Sequence, residues 1–296
     1  MPKRPNRSKR RDADDALSEV IGFILILALI AIFLSIWMTY VVPAEGRQQE
    51  IEHMNYVRDW FTQYKVTADS LWINHGDDKS LTGMTFSNSL VLGSQGGATQ
   101  AGGLFMPVMN PIGSTGGIAV TNKSEFIVIG GERYPLSILE FETTNNYWIP
   151  QSYYYQMGGV FLRQPAGTVA RVAPLIHFSQ DHTEIVIVQI TSRRASGMSG
   201  QGPVRVDTEL NRADKILTEG TMPIIFELRD ANAAKGWANI LKERRELADL
   251  TTSNVSIDLP PNDKVITITR PDNKNDVSYH IVELVVSVQS IASGVE

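Results

Sequence analysis

The sequence predicts an α+β chain: a long N-terminal helix, half transmembrane and half amphipathic, leading into a mostly antiparallel, sandwich-like β head with one added helix. Three observations predict it. Val20–Val42 (VIGFILILALIAIFLSIWMTYVV) runs 23 residues with no ionisable side chain except the Tyr40 phenol. Behind it, Ile51, Met54, Val57, Phe61, Tyr64, Ala68 and Leu71 recur at spacings of three and four, an apolar stripe reaching about Asn74. From His75 the texture changes to short strand-like runs broken by Gly, Asn and Pro. With 296 residues the chain has room for one large domain or two ordinary ones.

The apolar run spans roughly 34 Å as a helix, against about 30 Å of bilayer hydrocarbon. A secretory signal has an apolar region of roughly 7–15 residues followed by small residues at a cleavage site. This run is longer and ends in bulky Trp37, Met38 and Tyr40, so it is expected to stay attached. Its flanks set the orientation. The first fifteen residues hold six bases (Lys3, Arg4, Arg7, Lys9, Arg10, Arg11) and three acids (Asp12, Asp14, Asp15), whereas Pro43–Val57 holds Arg47 against Glu45, Glu50 and Glu52. The positive-inside rule puts the short N-terminus in the cytoplasm and everything after Val42 outside. Beside such a span the basic cluster reads as a topology signal rather than a nucleic-acid patch.

The whole chain carries a net charge of −5, and without the first fifteen residues the remainder stands at −8 (21 bases, 29 acids). An acidic body repels polyanions, so no nucleic-acid partner is expected. Cysteine is absent, which removes disulfide frameworks, thiolate zinc sites and cysteine nucleophiles together.

The junction reads Arg10-Arg11-Asp12-Ala13-Asp14-Asp15-Ala16-Leu17-Ser18-Glu19-Val20-Ile21-Gly22-Phe23-Ile24-Leu25. This charged leader, then S-E-V-I-G, then an unbroken apolar run resembles the class III signal and N-terminal domain of archaeal type IV pilins and pilin-like proteins, over about 30 residues. The resemblance implies a cut on the cytoplasmic side by a membrane-embedded prepilin peptidase. The bond would lie near Asp15–Ala16 or Asp14–Asp15, and the hydrophobic segment would remain as an assembly helix. It also implies four parts: a leader over 1–15, the transmembrane and assembly helix over 16–42, an amphipathic extension over 43–74 and an extracellular head over 75–296. Many archaeal members have Pro where this chain has Glu19, and bacterial pilins carry a Glu five residues into the mature chain. Two roles stay open for Glu19: pairing with a neighbour's N-terminal amine in a filament, or easing the helix macrodipole near headgroups. Gly22 either lets helices approach closely or is one of the glycines common in membrane helices.

Pro43 with Gly46 is expected to kink or break the helix at the membrane surface. The amphipathic half should lay its stripe on the head; a coiled coil is the alternative, limited to barely three heptads. Strands are predicted at 83–92, 117–121, 125–129, 137–143, 159–163, 168–171, 175–178, 183–191, 202–209, 222–228, 254–259, 264–269 and 278–290, with the added helix over 229–247. The run at 264–269 is expected to pair with the last strand across the turn-rich stretch 271–276. Two glycine-rich stretches, 93–103 and 113–117, read as linkers; neither has the following G-K-[ST] of a phosphate loop.

No catalytic motif stands out. The five histidines (His53, His75, His177, His182, His280) include no H-E-x-x-H, and no G-x-S-x-G occurs. His177 and His182 flank a turn; Asp272, Asn273, Asn275 and Asp276 offer a weak calcium arrangement or a solvated turn. The sequons at Asn122 and Asn254 would lie outside the cell and are candidate glycosylation sites, whereas that at Asn6 would be cytoplasmic. Tyr147, Trp148, Tyr153, Tyr154 and Tyr155 put five aromatics within nine residues. They form either a surface for glycans or partner subunits, or core that alternates inward and covers the helix.

The expected function is therefore non-enzymatic and cofactor-free: a type IV pilin-like surface protein, as minor pilin, pseudopilin or adhesion-type subunit. Its expected partners are prepilin peptidase, other pilin-like subunits with their assembly machinery, and membrane lipid. The alternative is a single-pass membrane protein whose extracellular domain binds a ligand or hydrolyses one without polymerising.

Overall fold

The computed structural model describes residues 7–75, 81–94, 110–122, 124–193, 196–218, 223–270 and 276–291, with side chains of the first helix described from Ser18 onward. The protein is α+β. Helix α1 (Arg7–Ile36), one wide π-turn (Trp37–Val41) and helix α2 (Val42–Ile73) form a single uninterrupted rod. Within it, Ser18–Ile73 contains a stretch of mean hydropathy 3.0 that the rest of the chain leaves entirely uncovered, making it long and apolar enough to cross a membrane.

The expected break at Pro43 does not occur. Proline at position 43 offers no N–H and its ring crowds the carbonyl four residues back. The rod answers by widening one turn, the Val42 N–H bonding to the Trp37 carbonyl, and Pro43 then sits in the first turn of α2, where a missing donor costs nothing.

Beyond the rod come β1 (Thr85–Val91), β2 (Thr115–Thr121), β3 (Phe126–Ile129), β4 (Glu132–Pro135), β5 (Ile138–Thr144), β6 (Ser152–Gln156), β7 (Gly159–Gln164), β8 (Gly167–Val172), β9 (Ile176–Phe178), β10 (His182–Ser192), β11 (Gly197–Gly200), β12 (Pro203–Thr218) and β13 (Ile224–Glu227). Helix α3 (Ala231–Leu247), β14 (Ser256–Asp258), β15 (Val265–Thr269) and β16 (Asp276–Ser290) complete the chain. The strands form three sheets, ordered β1-β12-β16-β10-β9, β11-β2-β5-β6-β7-β8 and β14-β15-β13-β3-β4. All pairings among the described residues are antiparallel except β10 with β16.

The six-stranded sheet is the middle layer. One face packs with α2 and much of the first sheet around Phe61, Tyr64, Phe141, Tyr153, Tyr155, Val188 and Leu284. The other packs with α3 and the third sheet around Tyr154, Phe161, Phe226, Trp237 and Ile268. Two apolar cores therefore share one sheet. Asp230 caps α3, its carboxylate accepting from the Ala233 N–H, so that helix starts two residues later than its sequence pattern suggests.

Two expectations are corrected. Strand β15 does not pair with β16: it lies between β13 and β14, while β16 runs between β12 and β10 in another sheet. The sequence between them is a crossover, and period-two alternation states only that each is a strand. The stretch 113–117 is not a free linker either, because Thr115–Gly117 begins β2. A side chain at Gly116 would run into the Leu92 carbonyl and the Phe141 ring, so glycine is there for packing. Residues 95–103 of the other glycine-rich stretch lie outside the described residues, as do Asp272, Asn273 and Asn275.

Candidate functional site at the junction of helix and head

The rod divides by burial. From Val20 to Tyr40 most of its large apolar side chains are exposed, Phe23 at 62% and Leu29 at 68%, with Leu34 and Trp37 half-covered. From Met54 the stripe Met54, Val57, Phe61, Tyr64, Ala68 and Leu71 is buried, while Ile51 is only half-covered. The amphipathic half thus belongs to the head, and its apolar stripe is covered from within the chain rather than by a coiled-coil partner.

The joint between the halves is built on Gly46 and Glu50, four residues apart on one helix face. A β-carbon at Gly46 would overlap the Tyr147 ring and touch Pro111. The missing side chain lets the loop after β5 reach the helix, and that loop is then held by charge. Glu50 is 1% exposed, and its carboxylate accepts three backbone N–H groups: Asn146 at 2.6 Å, Tyr147 at 2.9 Å and Trp148 at 2.6 Å. A buried carboxylate is costly unless ligated; three successive donors supply that ligation. Arg47 lies over the Trp148 ring at 4.4 Å, a cation–π contact. The Tyr147 hydroxyl accepts the Ile112 N–H at 3.1 Å, tying a second loop to the first.

Farther along, α2 seals the open edge of β1, which otherwise presents unpaired backbone groups. Trp60 Nε1 donates to the Ser89 carbonyl at 2.9 Å, the Val91 N–H donates to the Tyr56 hydroxyl at 3.1 Å, and His53 Nε2 bonds the Val91 carbonyl at 3.0 Å. Burial holds the His53 imidazole below its ordinary value despite that bond, which favours the neutral ring and fixes Nε2 as the donor.

Deeper still, Lys65 and Asp69 form a part-buried ion pair on α2. Burial raises the Asp69 carboxyl more than the Lys65 ammonium and its hydrogen bonds lower it. The folded chain therefore holds this proton more tightly than the unfolded one, and Asp69's contribution to stability is lost as pH rises from the ordinary carboxylate range through the folded value. Replacing Asp69 with Asn removes that slope. Denaturant midpoints from about pH 4 to about pH 7 should show the variant gaining on the parent as pH rises; a constant difference would refute the assignment.

The aromatic run is split by strand geometry. Tyr153, Tyr154 and Tyr155 are all buried in β6. Tyr153 stacks on Phe61 and Tyr155 meets Tyr64 edge-on, both against α2, while Tyr154 points into the other core and stacks on Phe161. These three tyrosines are not a binding surface: they tie the middle sheet to both cores, and burial pushes the Tyr154 and Tyr155 phenols up. Tyr147 and Trp148 stay half-exposed at the joint.

Among the other predicted residues, Glu19 is exposed and Gly22 faces open space, where a β-carbon would meet nothing within 4 Å beyond its chain neighbours and the backbone of its own helix. Close packing within the chain therefore does not explain that glycine. Asp14, Asp15 and Ala16 lie on helical backbone, but their side chains fall outside those described. Asn122 is exposed and its amide oxygen accepts the Ser124 N–H; Asn254 is half-buried and its oxygen accepts from Thr251. His182 Nδ1 bonds Ser179 Oγ in the hairpin turn, and no cluster of metal-ligating side chains occurs among the described residues.

A cleft of about 610 Å³ lies over β11, β2 and β5, lined by Thr115, Gly117, Ala119, Glu140, Glu142 and Ser199 among others. Glu140 is buried and paired with Arg163 and Arg229, so its charge is already committed to the fold.

Sequence reasoning missed Gly46, Glu50, His53, Tyr56 and Trp60 as a joint. The one local signal was an acid four residues after a glycine on the flank of an apolar stripe. Comparisons with protein-family models, with curated proteins and with solved structures return no match.

Proposed function

We propose that the chain is a type IV pilin-like surface subunit, of the minor pilin, pseudopilin or adhesion type. A prepilin peptidase removes residues 1–15 in the cytoplasm. The apolar helix then stays in the membrane or packs among the helices of neighbouring subunits, with the head outside the cell.

One observation carries this reading: most large apolar side chains of the rod from Val20 to Ile36 stand exposed, yet the helix is fastened to the head by the Glu50 carboxylate. A helix apolar on every side must be covered by lipid or by like helices. A stiff joint suits a subunit whose head position is set by its helix. The open space at Gly22 leaves room for a second helix to approach.

The test is the intact mass of protein extracted from membranes of cells that carry the peptidase. Loss of the leader near Asp15–Ala16 is expected, and exchanging Asp14 and Asp15 for bulky apolar residues should accumulate the uncut form. Retention of residues 1–15 in both would overturn the reading. The cleft over β11, β2 and β5 favours a second one, because about 610 Å³ is within the size range of small-molecule sites. On that reading the chain is a single-pass membrane protein whose outer domain binds a ligand or hydrolyses one, and never polymerises.

A further inference from the structure

We infer that the base of the head is itself a membrane contact: the loops carrying Ile112 and Tyr147–Ile149 rest in the headgroup layer beside the emerging helix. The inference rests on the reading of Val20–Val42 as a bilayer span. With that span filling the hydrocarbon, Val42 stands at its outer boundary. Gly46 and Arg47 are four and five residues farther, about 6–8 Å along the axis at 1.5 Å per residue. A headgroup layer is about 5–8 Å thick on each side. Any group packed against Gly46 or Arg47 is therefore at headgroup depth, and helix tilt would bring it deeper.

Four head residues meet that condition or adjoin one that does. Tyr147 and Pro111 press on Gly46, Trp148 lies under Arg47, and Ile112 follows Pro111 with its N–H bonded to Tyr147. The head reaches lower still, because Val42 is buried whereas Tyr40 is 71% exposed.

The chemistry of this rim is interfacial. Ile112 is 71% exposed and Ile149 is 43% exposed, on loops joined by the Asn146 side chain donating to the Gly113 carbonyl. Trp148 and Tyr147 are the residue types that collect at membrane–water boundaries, with an apolar ring and a polar tip. The Arg47 guanidinium lies over the Trp148 ring, which leaves its outer face to the phosphates. Glu45 offsets that charge, while the Glu50 carboxylate is already ligated by three N–H groups. The layer is close to neutral, so apolar insertion rather than polybasic attraction is the mode of contact. Two points of contact, the rod and the rim, fix the tilt of the head on the outer leaflet.

The absence of cysteine makes the test direct. Single cysteines at Leu27, Ile112, Ile149, Val169 and Leu247, each on an exposed side chain, take a nitroxide label in the full chain. The protein is reconstituted in phosphatidylcholine vesicles containing a minor share of phosphatidylglycerol. Relaxation by oxygen, which prefers lipid, is compared with relaxation by a water-soluble nickel chelate. The expected result is an oxygen-to-nickel ratio several-fold higher at 112 and 149 than at 169 and 247, approaching the value at 27. A high ratio at 27 with 112 and 149 matching 169 and 247 would overturn the inference and leave the span intact. A low ratio at 27 would overturn the span and the inference with it. A second measurement avoids the isoleucines: in a Trp37→Phe background, lipids brominated near the headgroup should quench an emission component that the further change Trp148→Phe removes. No change on that removal counts against the contact.

Discussion

Replacing Glu50 with alanine is expected to free the loop after β5 from the base of α2. The substitution removes the acceptor of three backbone N–H groups, those of Asn146, Tyr147 and Trp148. Each buried orphan costs about 1–3 kcal/mol, and water reaching the exposed side of this loop recovers part of that, so a loss of about 2–4 kcal/mol follows. Most of it should appear as local opening of this loop rather than global unfolding, because Met54, Val57, Phe61, Tyr64 and Leu71 stay buried in a core and keep α2 on the head. Distances between nitroxides at Leu29 on the rod and Ile149 on the loop, both exposed, read the effect directly. The parent should give one narrow distribution and Glu50→Ala a broad one. Glu50→Gln should fall between, since its amide keeps one acceptor and turns a donor toward the loop. A distribution unchanged in Glu50→Ala would mean that the packing of Tyr147 on Gly46 and of Trp148 under Arg47 suffices to hold the loop.

The same residues explain which parts of this structure were legible in the sequence. Met54, Val57, Phe61, Tyr64, Ala68 and Leu71 announced a helix face because a single buried side imposes a 3.6-residue period. The long apolar run was equally plain. Strand β6 was not read as a strand: Tyr153, Tyr154 and Tyr155 are buried on alternate faces of a sheet with a core on both sides, so the period-two signal vanishes. Strand β15 was recognised but misplaced, since alternation marks an element and says nothing of its partner. The joint was illegible for a related reason. Glu50 is one acid among several after the span, and what sets it apart is a loop 96 to 98 residues away.

Trp237 to alanine is expected to be the most destabilising single change in the head. The indole is fully buried, lies 4.9 Å from the Phe161 ring and 5.1 Å from the Phe226 ring, and fills the space between the middle sheet and the third. Removing it costs about 3–5 kcal/mol from lost burial and the cavity that remains. A polar consequence adds to this. Trp237 Nε1 donates to Gln156 Oε1 at 2.9 Å, and Gln156 in turn donates to Glu125, the buried acid that also takes the Arg229 N–H. Alanine leaves the Gln156 oxygen without its donor inside the core. With about 2–4 °C lost per kcal/mol in a domain of this size, the head's melting temperature should fall by roughly 10 °C or more. Trp237→Phe keeps most of the volume and loses the N–H, so a drop of about 1–3 kcal/mol is expected. If phenylalanine proved as damaging as alanine, the hydrogen-bonded chain to Glu125 would outweigh packing. The two cores make one further demand on this variant. Glu50 acts at the joint and Trp237 in the core on the far side of the middle sheet, with no partner in common. Their double substitution should therefore add to within about 0.5 kcal/mol. A larger coupling would show that β6, which the Glu50-held loop enters and whose Gln156 bonds Trp237, carries strain from the helix–head joint into the opposite core.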